Sequence, residues 1–167
     1  MLSLLQTLMP NVTRLKDLSS AVIEDHFSEH GLKTVLVPDG APIPGSHWGD
    51  EEAGLIQNEL FVRADTPVHS ALHEGGHWLV MPSKRRTQLH TNAGGTLAEE
   101  NAVCYLQVLM SDYIEGFNRE KLFSDMDAWG YSFRLGSSQR WFEEDANDAL
   151  EWLHIRHPNL LNRFRAP

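Results

Sequence analysis

The sequence is short of cysteine and of basic residues. Cys104 is the single cysteine among 167 residues, so an internal disulfide is excluded and a disulfide-stabilised secreted scaffold is not expected. Lys and Arg total 14 against 23 Asp and Glu, which gives a formal net charge of -9. That balance argues against broad, charge-driven binding to nucleic acid or to an anionic membrane surface.

Long apolar runs are also missing from the sequence. No window approaches the roughly 20 apolar residues that a membrane-spanning helix needs. Residues 1–10 form a short apolar stretch that is interrupted by polar residues and lacks both a basic lead and a small-residue cleavage site. We therefore expect no signal peptide, and we predict a cytoplasmic protein with neither a nucleic-acid partner nor a membrane partner.

The composition that remains suits one folded domain. A hydrophobic fraction of 41% over 167 residues is enough for a single core. We expect residues 1–167 to form one domain and the basic tail, 158–167, to be peripheral. Apolar residues follow helical spacing in the first 30 residues and in most of the second half, while short β-type runs occupy residues 33–37, 55–56 and 59–63. This order predicts an α+β domain whose small sheet, expected to be antiparallel, packs on helices.

The segment His73-Glu74-Gly75-Gly76-His77 carries the clearest chemical signal. Thr66 and Pro67 predict the start of the helix that contains it, and Pro82 predicts its end. Histidines four residues apart lie on one face of a helix, so both imidazoles can bind one ion. Glu74 lies about 100° around the helix, where its carboxylate can contact a metal-bound water rather than the metal. The segment predicts a catalytic metal site with Glu74 as general base.

The two glycines of this segment work against the helix. Each costs about 1 kcal/mol relative to alanine in a helix interior. We interpret Gly75 and Gly76 as making room for a substrate or for another backbone.

A third metal ligand is expected from a later helix, which Thr96 can cap. Glu99 shares the apolar stripe of that helix, and Glu100 lies about 100° away from it. A charge on a buried stripe is costly unless it is paired or bound to metal. We therefore predict Glu99 as the third ligand, with Glu100 as the alternative.

Two further groups flank the motif. His69 continues the series of histidines on the same helix face, and we interpret it as a fourth ligand or as a group behind the ligands. The run Lys84-Arg85-Arg86 follows the motif helix and is a candidate anchor for a carboxylate or phosphate of the substrate. A solvated basic turn is the alternative interpretation of this run, because charge runs usually face water.

The motif followed by Glu99 on a later helix resembles the gluzincin arrangement of zinc metallopeptidases. It also resembles the ImmA/IrrE-like metallopeptidases, in which a strand leads into such a helix. This resemblance covers residues 59–110. It implies a zincin-like fold, zinc as cofactor and hydrolysis of a peptide or amide bond.

A second resemblance is longer and covers residues 33–110. The stretches that carry it are Thr34–Pro44, Glu59–Val62, Ser70–Trp78 and Lys84–Arg86, which are similar to the elongation factor P hydroxylase family. It implies a zincin-like fold used for oxygen-consuming hydroxylation of a protein lysine, with a translation factor as partner. In that interpretation His73, His77 and Glu99 surround iron.

Three functions therefore stay open at the level of sequence. The first is a zinc-dependent hydrolase acting on a peptide or protein. The second is an iron-dependent oxygenase with the same three ligands. The third is a non-catalytic binding module whose metal is closed off by a fourth protein ligand such as His69.

Overall fold

The computed structural model describes residues 10–47 and 50–165. After a short 3-10 helix, Leu15–Asp17, the elements in chain order are α1 Val22–Ser28, β1 Lys33–Leu36, β2 Gly54–Ile56, β3 Glu59–Val62, α2 Val68–Val80, α3 Ser83–Thr87, α4 Leu97–Ser111, α5 Arg119–Trp129, α6 Ser138–Glu144, α7 Asn147–Arg156 and α8 Pro158–Phe164. The predicted α+β class is confirmed. Among the helices of these described ranges, none has the length and apolar character to cross a membrane.

The sheet is small and mixed, with strand order β1-β3-β2. β2 and β3 form an antiparallel hairpin, in which Gln57 takes a left-handed φ of 50°. β1 pairs in parallel with β3, so the prediction of an antiparallel sheet was wrong for this pair. The reason is the connection, because the chain travels through a long loop and β2 before it returns beside β1.

α2 is the central helix of the fold and packs against α4 and the sheet. It begins at Val68, one residue later than predicted, because the Thr66 hydroxyl accepts a hydrogen bond from the Arg63 amide instead of capping the helix. The structure describes every residue of α2, and all of them except His73 and Glu74 are buried. The core therefore covers this helix everywhere but at His73 and Glu74.

The glycines of α2 face the interior of the protein. A Cβ on Gly75 would lie 2.1 Å from Cζ of Phe27, the fully buried aromatic residue of α1. A Cβ on Gly76 would lie 3.2 Å from Cγ1 of Val103, 3.6 Å from Cε of Met110 and 3.9 Å from the Val103 carbonyl oxygen. The interpretation that the glycines admit a substrate or a backbone was wrong for Gly75, where an aromatic side chain fills the space.

This difference predicts opposite outcomes for two neighbouring substitutions. Gly75→Ala should lower the free energy of unfolding by about 2 kcal/mol, because overpacking a filled core outweighs the better helix propensity of alanine. Gly76→Ala, the matched control, should stay within about 1 kcal/mol of the wild type. Denaturant unfolding of both variants measures this, and equal stabilities would contradict the packing described for Phe27.

Two residues of the C-terminal segment belong to the core, so the prediction of a peripheral tail was wrong for Leu161 and Phe164. Leu161 and Phe164 of α8 are 2% and 1% exposed. The Phe164 ring lies 5.5 Å from the ring of His26 and 5.7 Å from that of His30. Residues 166–167 lie outside the described residues.

The contact between α1 and α8 predicts a loss of stability in acid. Burial, helped by the charge of His30, lowers the pKa of His26 from 6.5 to about 4. The unfolded chain therefore binds more protons between these values, and stability falls as the pH drops from about 6.5 to about 4. The shift corresponds to about 3 kcal/mol. In His26→Phe, the loss of unfolding free energy between pH 7 and pH 4 should be smaller by that amount, and an unchanged loss would contradict the assignment.

Candidate metal centre

α2 and α4 bring three metal-ligating side chains together. Nε2 of His73 lies 2.8 Å from Oε1 of Glu100, and Nε2 of His77 lies 2.8 Å from Oε2 of the same carboxylate. The two imidazole rings are 4.8 Å apart between centroids, as expected for one helical turn. The potential ligand atoms of the three residues all lie within 4.8 Å of one another.

These separations fit the size of a coordination sphere. Two ligand atoms on one tetrahedral zinc ion lie about 3.3 Å apart, given zinc–ligand bonds of about 2.0–2.2 Å. The observed distances, from 2.8 Å for the hydrogen-bonded pairs up to 4.8 Å, bracket that value. Small side-chain movements would close the set around one cation. Two imidazoles and a carboxylate are donors suited to zinc or to iron.

The orientation of His73 is set by Gln107, a fully buried residue of α4. The Gln107 amide nitrogen donates to the backbone carbonyl of His69 at 2.7 Å, so its Oε1 faces Nδ1 of His73 at 3.1 Å. An amide oxygen only accepts, and Nδ1 must therefore carry the proton. Nε2 of His73 donates to Glu100 and would give up its proton to bind a cation, while Nδ1 keeps its own proton, and that is the tautomer that a metal ligand needs.

His77 is oriented in the same sense by a different neighbour. Its Nδ1 lies 3.9 Å from Oε1 of Glu99, which is too long for a hydrogen bond but close enough for the carboxylate charge to favour a proton on Nδ1. Nε2 of His77 is thereby left to face Glu100. Both imidazoles consequently present their Nε2 atoms to the same point.

The preference for Glu99 as the third ligand is corrected by this geometry. Both terminal nitrogens of Arg85 donate hydrogen bonds to the Glu99 carboxylate, and Nη1 of Arg85 lies 2.9 Å from Oε2. Periodicity identified the buried glutamate correctly, since Glu99 is 6% exposed. Its charge, however, is compensated by an arginine, and the alternative residue, Glu100, reaches both histidines. The predicted cap is confirmed, because the Thr96 hydroxyl accepts from the Glu99 amide.

The basic run lies on the short helix α3. Arg85 is paired with Glu99, and the Arg86 guanidinium lies 3.6 Å from the centroid of the Trp78 ring. Arg86 also donates to the carbonyl oxygens of Trp78 and Leu79 at the C-terminal end of α2. Both guanidinium groups therefore have partners within the chain, and the prediction that these two arginines anchor a substrate was wrong. Lys84 is exposed on α3.

His69 lies behind the three donors rather than among them. Its Nδ1 is 3.0 Å from the hydroxyl of Tyr131, which also accepts from the Gln107 amide at 3.4 Å. Sequence reasoning missed Gln107 as a site residue. A signal was available, because Gln107 lies seven residues after Glu100, two turns along the same face of α4, on a helix otherwise rich in apolar residues.

Two cavities reach the donors from different sides. The larger has a volume of about 450 Å³ and the smaller about 200 Å³, and His73, Glu74 and Glu100 line both. Trp129 and Tyr131 form the far wall of the larger cavity, and residues 91–94 form that of the smaller one. The side chain of Glu100 is 45% exposed. The cluster is therefore open to small molecules in a cleft that passes over Glu74.

The charges in this cleft act strongly on one another. Burial alone would raise the pKa of Glu100, but the hydrogen bonds with His73 and His77 outweigh it and hold that pKa far below its ordinary value. Burial lowers the pKa of His77, yet its contacts with Glu100 and Glu99 leave it raised. Burial raises the pKa of Glu74. A carboxylate with a raised pKa beside a metal-ligand set is a candidate proton carrier.

Comparisons with known proteins identify no relative of this chain. No family model matches it, and neither the curated proteins nor the solved structures contain a match. The zincin-like fold and both family resemblances therefore stay predictions.

Proposed function

We propose that this chain is a zinc-dependent hydrolase that cleaves a peptide or amide bond. The observation that carries the proposal is the convergence of two imidazole Nε2 atoms on the carboxylate of Glu100, at the one place where the core leaves α2 uncovered. His73, His77 and Glu100 would hold the cation, and Glu74 stands beside them in the cleft.

Some residues of the site would bind and orient the cation, and Glu74 would transfer protons. When bound, zinc supplies a water of nearly neutral pKa and polarises a carbonyl group. Gln107 and Glu99 keep the protons of the two imidazoles on Nδ1, so that both Nε2 lone pairs stay directed at the cation. Glu74 takes a proton from the attacking water and returns it to the leaving amine. Burial raises the pKa of Glu74, which favours the uptake of the proton by its carboxylate.

The shape of the cleft supports a chain-like substrate. Cavities on both sides of Glu74 leave room for the segments that precede and follow a reacting bond. A site for a single small molecule would be expected as one enclosed pocket. A peptide or the exposed segment of a protein fits the open arrangement better.

One observation favours a second candidate. Two histidines and one carboxylate are also the donor set of iron-dependent oxygenases, so hydroxylation of a protein lysine, with a translation factor as partner, is the alternative. The third function, a non-catalytic binding module whose metal has a fourth protein ligand, is disfavoured. His69, its expected fourth ligand, bonds to Tyr131 instead.

The test compares two metal loadings of the same protein. Protein purified without oxygen is loaded with zinc or with iron, and each form is assayed for peptide cleavage and for substrate-dependent oxygen uptake, with His73→Ala as the control. Cleavage by the zinc form that is absent in His73→Ala supports the hydrolase. Oxygen uptake by the iron form with no cleavage by either form would replace it with the oxygenase.

A further inference from the structure

A third cavity, of about 410 Å³, is lined by residues of α4 and of the loop after α5, as the larger cavity of the cleft also is. Its lining includes Leu97, Asn101, Phe133, Trp141, Asp145 and Ala149. Asn101 directly follows Glu100 on α4, and residue 132 of the lining directly follows Tyr131, which lines the cleft. Leu97 lies three residues before Glu100, so their Cβ atoms are about 5–6 Å apart. The cavity is therefore a neighbour of the cleft, with which it shares no lining residue, and we call it the side branch.

The walls of this side branch are aromatic. The Phe133 ring is stacked between Tyr131, at 6.4 Å and 14°, and Trp141, at 4.8 Å and 26°, as measured between ring centroids and planes. Trp141 and Ala149 are buried and form the apolar floor. The row of rings therefore runs from Tyr131, in the lining of the larger cavity, to Trp141, in the lining of the side branch.

The rim of the side branch carries an exposed apolar side chain and acidic groups. Leu97 is 77% exposed in the lining of this cavity, so an apolar group bound there would remove part of its surface from water. Arg134 and Asp145 form an ion pair at the rim, and Asp148 is exposed beside them. An apolar group entering between these residues would cover Leu97, whereas an acidic group would meet the carboxylates.

We infer that this side branch receives a large apolar side chain, aromatic or branched aliphatic, from a peptide bound across the candidate metal centre. An extended peptide advances about 3.3 Å per residue, so a residue close to the reacting bond, and not the residues of that bond itself, would supply this side chain. The inference rests on the proposed function and adds the substrate class, namely peptides with an apolar residue at one fixed position.

Binding measured without turnover tests this inference. Zinc-loaded Glu74→Gln protein is titrated with alanine-based hexapeptides that carry a single phenylalanine at each position in turn. One position should bind about tenfold more tightly than the all-alanine peptide, a difference of about 1.4 kcal/mol. Glutamate at that position should give no gain.

Matched variants locate the effect. Leu97→Asp should abolish the phenylalanine preference, and Leu97→Met should keep it. Leu97 is exposed at the first residue of α4, where an aspartate also suits the helix dipole, so the variant is expected to fold. Leu36→Asp removes another exposed leucine, 70% exposed on β1, and should leave the preference unchanged.

Cleavage by the wild-type protein is recorded in parallel to separate two failures. Cleavage without a phenylalanine preference overturns the side branch and leaves the hydrolase intact. A phenylalanine preference that Leu97→Asp abolishes, without any cleavage, supports the side branch and contradicts the hydrolase. A preference that survives in Leu97→Asp overturns the inference in either case.

Discussion

Glu74→Gln is expected to bind zinc as the wild type does and to lose about 10²–10⁴-fold of its turnover. Glutamine has nearly the same size and keeps the shape of the cleft, but its amide cannot accept a proton from water. His73, His77 and Glu100 are untouched, so the donor set for the cation is preserved. Steady-state cleavage assays beside a zinc titration measure the two properties separately.

A control is available in the same cavity. Glu52 lines the larger cavity and accepts a hydrogen bond from the Trp129 indole at 2.8 Å. Glu52→Gln removes one negative charge without touching the donors, and its effect on turnover should stay within about tenfold. Equal losses in the two variants would mean that charge in the cavity, and not proton transfer by Glu74, accounts for the effect.

Glu100→Gln is expected to weaken zinc binding by at least about 100-fold, which exceeds the typical effect of removing a residue that only supports a ligand. The carboxylate of Glu100 is the group that faces both Nε2 atoms, and a neutral amide is a poor ligand beside two imidazoles. Competition with a chromophoric zinc chelator measures the affinity. Unchanged affinity would exclude Glu100 as the third ligand.

The neighbouring residue provides the matched comparison. Glu99→Gln leaves the donors in place but removes the partner of Arg85. It should cost about 1 kcal/mol of stability in the metal-free protein, because Arg85 loses the charge of its partner but is 36% exposed and partly hydrated. Its zinc affinity should fall by only about tenfold, through the weaker support of His77. The reverse ranking of the two glutamates would make Glu99 the ligand.

Sequence patterns predicted the parts of the site that depend on one helix. Spacing of four residues placed His73 and His77 on one face, and the observed ring separation of 4.8 Å agrees with it. The cap at Thr96 follows from local chemistry, and so does the burial of Glu99. Each of these features is set by residues within a turn or two of one another.

The predictions that were wrong concern contacts between different helices and strands. The ion pair of Arg85 with Glu99 joins α3 to α4, and no periodicity in either segment reveals it. The same holds for Phe27 against Gly75, and for the burial of Phe164. Helix geometry tells which face a residue occupies but not which partner meets that face. The sequence alone therefore could not tell whether Glu99 or Glu100 is the third ligand, because the answer depends on how α2 packs on α4.

The central claim is that two imidazoles and the carboxylate of Glu100 hold one cation, and the metal content of the purified protein tests it most directly. Elemental analysis of the wild type beside His73→Ala should find about one transition-metal ion per wild-type chain, with zinc predominating, and almost none in the variant. A wild-type protein without a stoichiometric ion would contradict the claim. So would a His73→Ala protein that retains as much metal as the wild type.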